Sequence, residues 1–451
     1  MYPEINAMAL PPTGPSAAGT SASGAPAVPA FFARRGIHYG WVMAAVTFLT
    51  MLVTAGAVGA PGVLIGPLER EFGWATADIS SGFAIRLVLF GLMGPFAAAF
   101  MNRFGLRPVA AVALGLIGAG VFGSFFMTRI WHLMLLWGVV VGFGTGLTAM
   151  VLGATVATRW FVQRRGLVLG LLTASTATGQ LVFLPLLAQL TETLGWRSAL
   201  SIVLAMLLVA AVAVLTLLRD RPSDIGLLPY GASEPPTHLV HPTTFKSMFA
   251  SPLLALRDAS KSRTFWVLFA TFFICGASTN GLVQTHFVSL CGDYGMAAVT
   301  AAGMLALIGV FDFIGTVGSG WLSDRFDSRW LLFWYYGLRG LSLLYLPFSD
   351  FSFYGLSIFA VFYGLDWVAT VPPTVKLAAD KFGDRANLVF GWIFAGHQLG
   401  AASAAYGAGF SRTFYQTYLP AFFVAGLLCL VAALAIVAIR ERSPRLATAA
   451  R

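Results

Sequence analysis

The sequence predicts an all-α membrane protein built from two similar halves, and three observations carry that prediction. Hydrophobic residues make up 58% of the 451 and charged residues only 10%, at a mean hydropathy of +0.80, whereas soluble domains carry about 25% charged residues. Such an inventory cannot clothe a soluble domain of this length in polar surface. Apolar runs of the roughly 20 residues that cross a bilayer recur along the chain. Finally, the chain repeats itself. The basic turn from Gly94 to Arg107, GPFAAAFMNRFGLR, returns from Gly320 to Arg329 as GWLSDRFDSR, so that Asn102-Arg103-Phe104 is echoed by Asp324-Arg325-Phe326 222 residues later. Leu167-Val168-Leu169-Gly170 returns as Leu388-Val389-Phe390-Gly391, offset by 221. Ordinary basic loops would not keep two offsets in such agreement, and the period is far too long for a solenoid or propeller.

Residues 1–37 are rich in Ala, Pro, Gly and Ser and read as a disordered cytoplasmic tail. A cleaved signal is not expected, because Glu4 stands where a basic region belongs and the first long apolar run starts only near His38. The first six-helix unit, 38–218, holds apolar runs at about 38–66, 79–101, 106–128, 131–157, 166–190 and 197–218. A polar cytoplasmic linker, 219–263, follows, holding Pro222, Pro235, Pro236 and Pro242. The second unit, 264–440, holds runs at about 264–289, 298–322, 330–349, 352–375, 387–410 and 414–439, and 441–451 is a second cytoplasmic tail. Two such halves are the pattern of a parallel-repeat membrane carrier with its site between them.

Of the 28 Lys and Arg residues, Arg70, Arg129, Arg197 and Arg412 fall on one side, Arg86 and Arg339 lie within runs, and the other 22 fall on the side of the N-terminus. Cytoplasmic loops hold the excess of basic residues, so both termini are expected in the cytoplasm. The net charge of +10 is spread between apolar runs and not gathered on one face with interleaved aromatics, which excludes a nucleic-acid surface. Cys275, Cys291 and Cys429 lack metal spacing, and His238 and His241 in a Pro-rich loop read as solvated side chains. No metal and no cofactor is expected. Gly115, Gly118, Gly120 and Gly123 in the third run, and Gly138, Gly142, Gly144 and Gly146 in the fourth, suit close helix packing in lipid. GFGTG at 142–146 follows no strand, and neither a phosphate loop nor a nucleophile–base pair marks an enzyme.

A charge at the centre of a spanning helix costs roughly 2.5–3.5 kcal/mol on insertion scales, so each one needs a partner or a task. Of 18 acids only Asp312 and Asp366 lie deep in apolar runs, joined there by Arg86, Arg339, His286 and His397. Asp312, near mid-depth in the eighth run, is expected to carry a proton; the alternative is a fixed ion pair with Arg339. Arg86 either snorkels to the interface or offers a bidentate fork to a carboxylate or to Asp312. Arg339 reads as structural, pairing an acid. His286 is an interface residue or an external gate. His397 attracts a carboxylate when protonated and releases it when neutral, or simply bonds a backbone carbonyl. Asp366, Tyr363, Trp367, Gln398, Asn280, Gln284 and Trp392 would give an aromatic and amide-lined pocket if their helices line a cavity, although aromatics at helical spacing are more often packing than ligand contacts. Pro372-Pro373, opening the tenth helix near its inner end, suit a gate.

The turns at 94–107 and 320–329 resemble the signature of the major facilitator superfamily, a G-x-x-x-D-R-x-G-R/K turn after the second helix with a weaker copy after the eighth. The likeness covers nearly the whole chain. Arg159-Trp160-Phe161 followed by Arg164-Arg165-Gly166-Leu167, then Arg219-Asp220-Arg221-Pro222 with Ile225-Gly226-Leu227, resembles its bacterial monocarboxylate-transporter and oxalate-formate-antiporter branch. The resemblance implies twelve transmembrane helices in two six-helix pseudo-symmetric bundles. It also implies a central cavity lined by helices 1, 4, 7 and 10 with help from 2, 5, 8 and 11, and rocking between outward and inward states. By the same resemblance the turn's acid caps a neighbouring helix and its arginines tie the cytoplasmic gate, which assigns gating to Asn102, Arg103, Arg107, Asp324 and Arg325. Asn102 replaces the usual Asp; Asn caps well but lacks a charge–dipole contribution of roughly 0.3–1 kcal/mol, so a weaker first-half lock is expected.

Asp312 matches a helix-8 Asp of animal monocarboxylate carriers. Thr316, however, stands where their substrate-linked Arg follows, and no Lys or Arg occurs between Arg35 and Arg70, where they keep a proton-linked Lys. Both departures argue against simple lactate-type symport. His397 falls where oxalate-formate antiporters place a substrate-binding Lys. The expected function is secondary active transport of a small, monocarboxylate-like organic anion across a bacterial inner membrane by a monomer, through alternating access coupled to protons or run as exchange. Arg86, Asp312 and His397 are its expected site. A carrier of a larger neutral or aromatic metabolite, vitamin or drug is the alternative, suggested by Thr316 and the aromatic lining. A non-transporting sensor or scaffold is a third, although the longest polar stretch is the linker.

Overall fold

The computed structural model describes residues 31–32, 34–148, 150–234, 245–437 and 439. In the first half the helices are α1 Tyr39–Phe72, α2 Thr76–Phe104, α3 Leu106–Ser124, α4 Ile130–Trp160, α5 Arg165–Leu194 and α6 Trp196–Leu217. In the second they are α7 Arg263–Asp293, α8 Ala298–Ser323, α9 Ser328–Tyr345, α10 Phe353–Phe382, α11 Ala386–Tyr415 and α12 Leu419–Val437. Each covers one expected apolar run, with ends that differ by up to two turns, and the described residues form no sheet. The expected tails over residues 1–30 and 441–451 lie outside the described residues, as do Pro235, Pro236, His238, His241 and Pro242.

Among the described residues nine of these helices are long and apolar enough to cross a bilayer on composition alone. Of the other three, α5 and α11 are long enough at 30 residues each, and polar side chains interrupt the apolar run in all three. α9 and α11 carry Arg339, His397 and Gln398 in mid-run, and α5 is strongly apolar only over Leu167–Thr176 and Val182–Leu194. The three polar residues of α9 and α11 are buried in protein, so lipid never meets them.

Four helices are irregular, and they occupy equivalent places in the repeat, first and fourth in each half. α1 breaks at Ala60 before Pro61, and α4 and α7 widen into π turns at Met134–Val141 and Ala277–Val283. α10 unwinds over 367–370 ahead of Pro372 and Pro373. Irregular backbone at membrane depth is tolerated only where it is buried in protein or lines a cavity, and π turns concentrate at functional sites.

The helices form two six-helix bundles, joined where α2 runs along α11 and α5 along α8. Small residues let backbones close up, between the halves and within each half. A Cβ at Gly276 of α7 would sit 1.7 Å from the His397 carbonyl oxygen of α11, so only glycine permits that approach. At the end away from the basic turns the halves are tied directly, Ala77 N–H donating to Thr413 Oγ1 at 3.1 Å and Ala298 N–H to Glu192 Oε1 at 3.0 Å. At the basic end the connection between the halves is itself structured. Residues 219–234 fold back on the first half, where Tyr230 N–H donates to the Trp160 carbonyl at 2.8 Å, and a linker helix, Phe245–Ala259, lies across α2 and α11.

Candidate functional site

A cavity of about 560 Å³ lies between the halves, and all four irregular helices contribute to its wall together with α2, α5, α8 and α11. The expected residues Asn280, Gln284, Asp312, Trp367, His397 and Gln398 line it, whereas Arg86, Tyr363 and Asp366 do not. The packing within the second half explains this division.

Where α10 unwinds, its freed backbone groups need partners, because a buried unpaired N–H or C=O is costly. Neighbouring helices supply them. Asp312 Oδ1 on α8 accepts the Val368 N–H at 2.9 Å and the Thr316 hydroxyl at 3.0 Å. Ser319 Oγ donates to the Ala369 carbonyl at 2.5 Å. Arg339 on α9 donates through Nη2 to the carbonyls of Asp366 and Trp367 at 2.5 and 3.0 Å, and through Nη1 to Cys275 Sγ at 2.9 Å. Its Nε meets Asp366 Oδ2 at 2.6 Å, with both side chains buried. The ion pair open to Asp312 is therefore formed by Asp366, which becomes part of the packing of α9 on α10. Tyr363 is similarly committed, its hydroxyl donating to the Ser278 carbonyl at 2.5 Å.

Arg86 is 3% exposed, so its side chain does not reach the interface. Its backbone packs against Gly142 of α4, its Nε has no hydrogen-bond partner, and no acid lies within ion-pair distance among the described residues. His286 is fully buried, with Nε2 2.8 Å from the Ala405 carbonyl oxygen, and ties α7 to α11. Trp392 leaves the pocket set, donating its Nε1–H to the Pro252 carbonyl of the linker helix at 2.8 Å.

At the basic end, Asn102 Oδ1 accepts from Arg159 Nη2 of α4 at 2.6 Å. The negative charge at the start of α3 comes instead from Asp220, whose Oδ1 accepts the Arg107 N–H at 2.9 Å. Gly105, at φ +95°, makes the room: a Cβ there would lie 2.5 Å from Asp220 Oδ2. Asp220 thus supplies the charge–dipole contribution that Asn102 lacks. In the repeated turn Arg325 lies over the Trp321 ring at 4.1 Å and Asp327 caps α9 through the Arg329 N–H at 2.8 Å. The side chains of Arg103 and Asp324 make no hydrogen bond or ion pair among the described residues, although the Asp324 N–H closes α8 on the Leu322 carbonyl.

At this end the linker helix adds contacts to both halves, beside the direct packing of Phe96 of α2 on Trp392 of α11. Phe249 packs on Phe96 and Phe100 of α2, and Asp258 pairs with Arg385 at the start of α11 at 2.7 Å. The Arg385 guanidinium holds the Asp258 carboxyl below the usual carboxylate range. No local sequence pattern marks the roles of Asp220 and Asp258. Arg219-Asp220-Arg221 is visible in the sequence as a motif, but its partner lies 113 residues back.

Two helical halves around a central cavity, with broken helices at its wall, define a secondary carrier. The chain belongs to the Major Facilitator Superfamily, whose family model matches residues 46–405. It is 26% identical over 354 residues to the uncharacterized MFS-type transporter YcxA of Bacillus subtilis (strain 168), covering 76% of this chain and 81% of that protein. It is also 26% identical over 392 residues to monocarboxylate transporter 13 of Rattus norvegicus, covering 86% of each. Among solved structures, the nucleoside transporter NupG superposes with a TM-score of 0.71 at 11% identity, over 90% of this chain and 100% of that one.

Proposed function

We propose that this chain moves a small, monocarboxylate-like organic acid together with a proton, by alternating access. The cavity wall carries the reading: among its described residues Asp312, His397 and the Cys275 thiol are ionisable and none is Lys or Arg. A bare carboxylate drawn from water into such a site would meet no fixed cation and, at Asp312, a like charge, at a cost of several kcal/mol. One proton on the substrate removes both costs, one on His397 supplies the missing cation, and one on Asp312 removes the like charge, so in each case acid and proton cross together. Asn280, Gln284 and Gln398 would orient the substrate, with Trp367 as an apolar wall. Similarity to a protein named as a monocarboxylate transporter supports the substrate class.

In this reading 38–218 and 264–440 rock against each other. Ala77–Thr413 and Ala298–Glu192 part in one state, and the linker-helix contacts part in the other. The end with most Lys and Arg faces the cytoplasm of a bacterial cell, both termini with it. In proteoliposomes, an inwardly directed proton gradient should drive accumulation of a labelled monocarboxylate, while a membrane potential imposed at equal pH should not. Accumulation driven by the potential alone refutes the coupling.

A second reading, a larger neutral aromatic substrate, is supported by Phe90, Phe272, Phe313 and Phe394 beside Trp367 in the wall. Thermal stabilisation of the purified protein by uncharged heterocycles but not by carboxylic acids selects it.

A further inference from the structure

We infer that Gln398 reads an edge of the substrate that carries one hydrogen-bond donor beside one acceptor, which a carboxylic acid presents only when protonated and a cis-amide presents at any pH. The inference deepens the proton-coupled reading above and rests on it. Gln398 lines the cavity and is 1% exposed. Its stem is fixed against Gly91 of α2, where a Cβ would come within 2.5 Å of the Gln398 Cβ.

Both polar atoms of the side chain, Oε1 and Nε2, are buried without a hydrogen-bond partner. Thr54 Oγ1 on α1, Gln284 Nε2 on α7 and His397 Nδ1 on α11 are in the same condition and belong to the same wall. Buried polar atoms are almost always paired, and each exception calls for a reason. Four such side chains gathered from both halves around one cavity point to a ligand as the missing partner.

The chemistry of that ligand follows from the amide. A primary amide offers an N–H donor and a C=O acceptor side by side. A carboxylate offers two acceptors, so it satisfies Nε2 and leaves Oε1 facing its lone pairs. A protonated carboxyl, or the cis-amide edge of a lactam, satisfies both atoms with two near-parallel hydrogen bonds. The proton that accompanies the substrate is thereby placed on the substrate's own carboxyl, taken up from solution before binding.

The test uses the full chain in nanodiscs with phenylacetic acid and the lactam 2-piperidone as probes, measuring affinity from about pH 5 to about pH 8 and the ligand-free melting temperature. If the bound form is the neutral acid, the apparent Kd for phenylacetic acid rises about tenfold per pH unit above the acid's own pKa. That slope survives Asp312→Asn, and the affinity for the lactam stays flat with pH. Gln398→Leu weakens binding by about tenfold or more with a ligand-free melting temperature equal to or above wild type, because the unpaired amide is gone; a glutamine with only a structural role would lower it. Binding of the lactam alone upholds the donor–acceptor edge and refutes the monocarboxylate reading. A slope that vanishes in Asp312→Asn places the proton on the protein and overturns the inference while leaving proton coupling intact. Phenylacetate affinity that is flat with pH, or unchanged by Gln398→Leu, also overturns it.

Discussion

Asp312 on α8 and the main-chain N–H of Val368 on α10 are joined at 2.9 Å, so an acid on the cavity wall also holds the stretch where α10 loses its helical hydrogen bonds. An Asn at this position keeps an acceptor oxygen, whereas an Ala leaves the N–H orphaned at a cost of about 1–3 kcal/mol. Asp312→Asn should therefore melt near wild type, and Asp312→Ala should melt lower with faster amide exchange over 367–371. Equal melting of the two variants, read with exchange mass spectrometry, would show that the tie contributes nothing.

Arg339 serves Asp366 and two backbone carbonyls at once. Removing one partner of a buried ion pair costs about 3–5 kcal/mol, and Arg339→Met also strips the carbonyls of their donor. Its melting temperature should fall further than that of Asp366→Asn, in which the carbonyl bonds remain. The opposite order in thermal melts would mean that the carbonyl bonds carry little.

The Asp258–Arg385 contact gives the linker helix a pH dependence. A carboxyl whose folded pKa is depressed stabilises above its unfolded pKa and loses that contribution as pH falls through the folded value. With Asp258 held below the usual range, the tie is present at neutral pH and fades below about pH 4. Both partners are solvent-accessible, so global stability should hardly change. A cysteine introduced at Leu388, beside this contact, should be alkylated at least about twofold faster in an Asp258→Asn background at neutral pH. The same rate with and without that substitution would dismiss the latch.

Arg86 is a buried cation without an acidic partner among the described residues, an arrangement that destabilises by several kcal/mol unless compensated. Arg86→Met should raise the melting temperature and leave monocarboxylate uptake within about twofold of wild type, about 0.4 kcal/mol. Abolished uptake in a well-folded variant would instead put the guanidinium on the substrate path.

Hydropathy, the 222-residue echo and the bias of basic residues are all one-dimensional, and a bilayer responds to them directly through helix length and loop charge. They were enough to locate each helix and to select the few ionisable residues held inside. They could not separate Asp312 from Asp366. Each is a lone acid in an apolar run, and the difference lies in which neighbour reaches it: Arg339, 27 residues before Asp366, or the backbone of Val368, 56 residues after Asp312. Nor could they show that Asp220 stands in for the acid missing at Asn102.

The amino-acid order by itself determined a membrane protein of two homologous helical halves, with a basic end and a short roster of costly interior charges. Tertiary structure alone decided which of those side chains share the cavity and which are spent on packing. The physical reason is that a buried polar group takes whichever partner the folded backbone brings within hydrogen-bond reach, and the unwinding of α10 creates demands for partners that no local pattern announces.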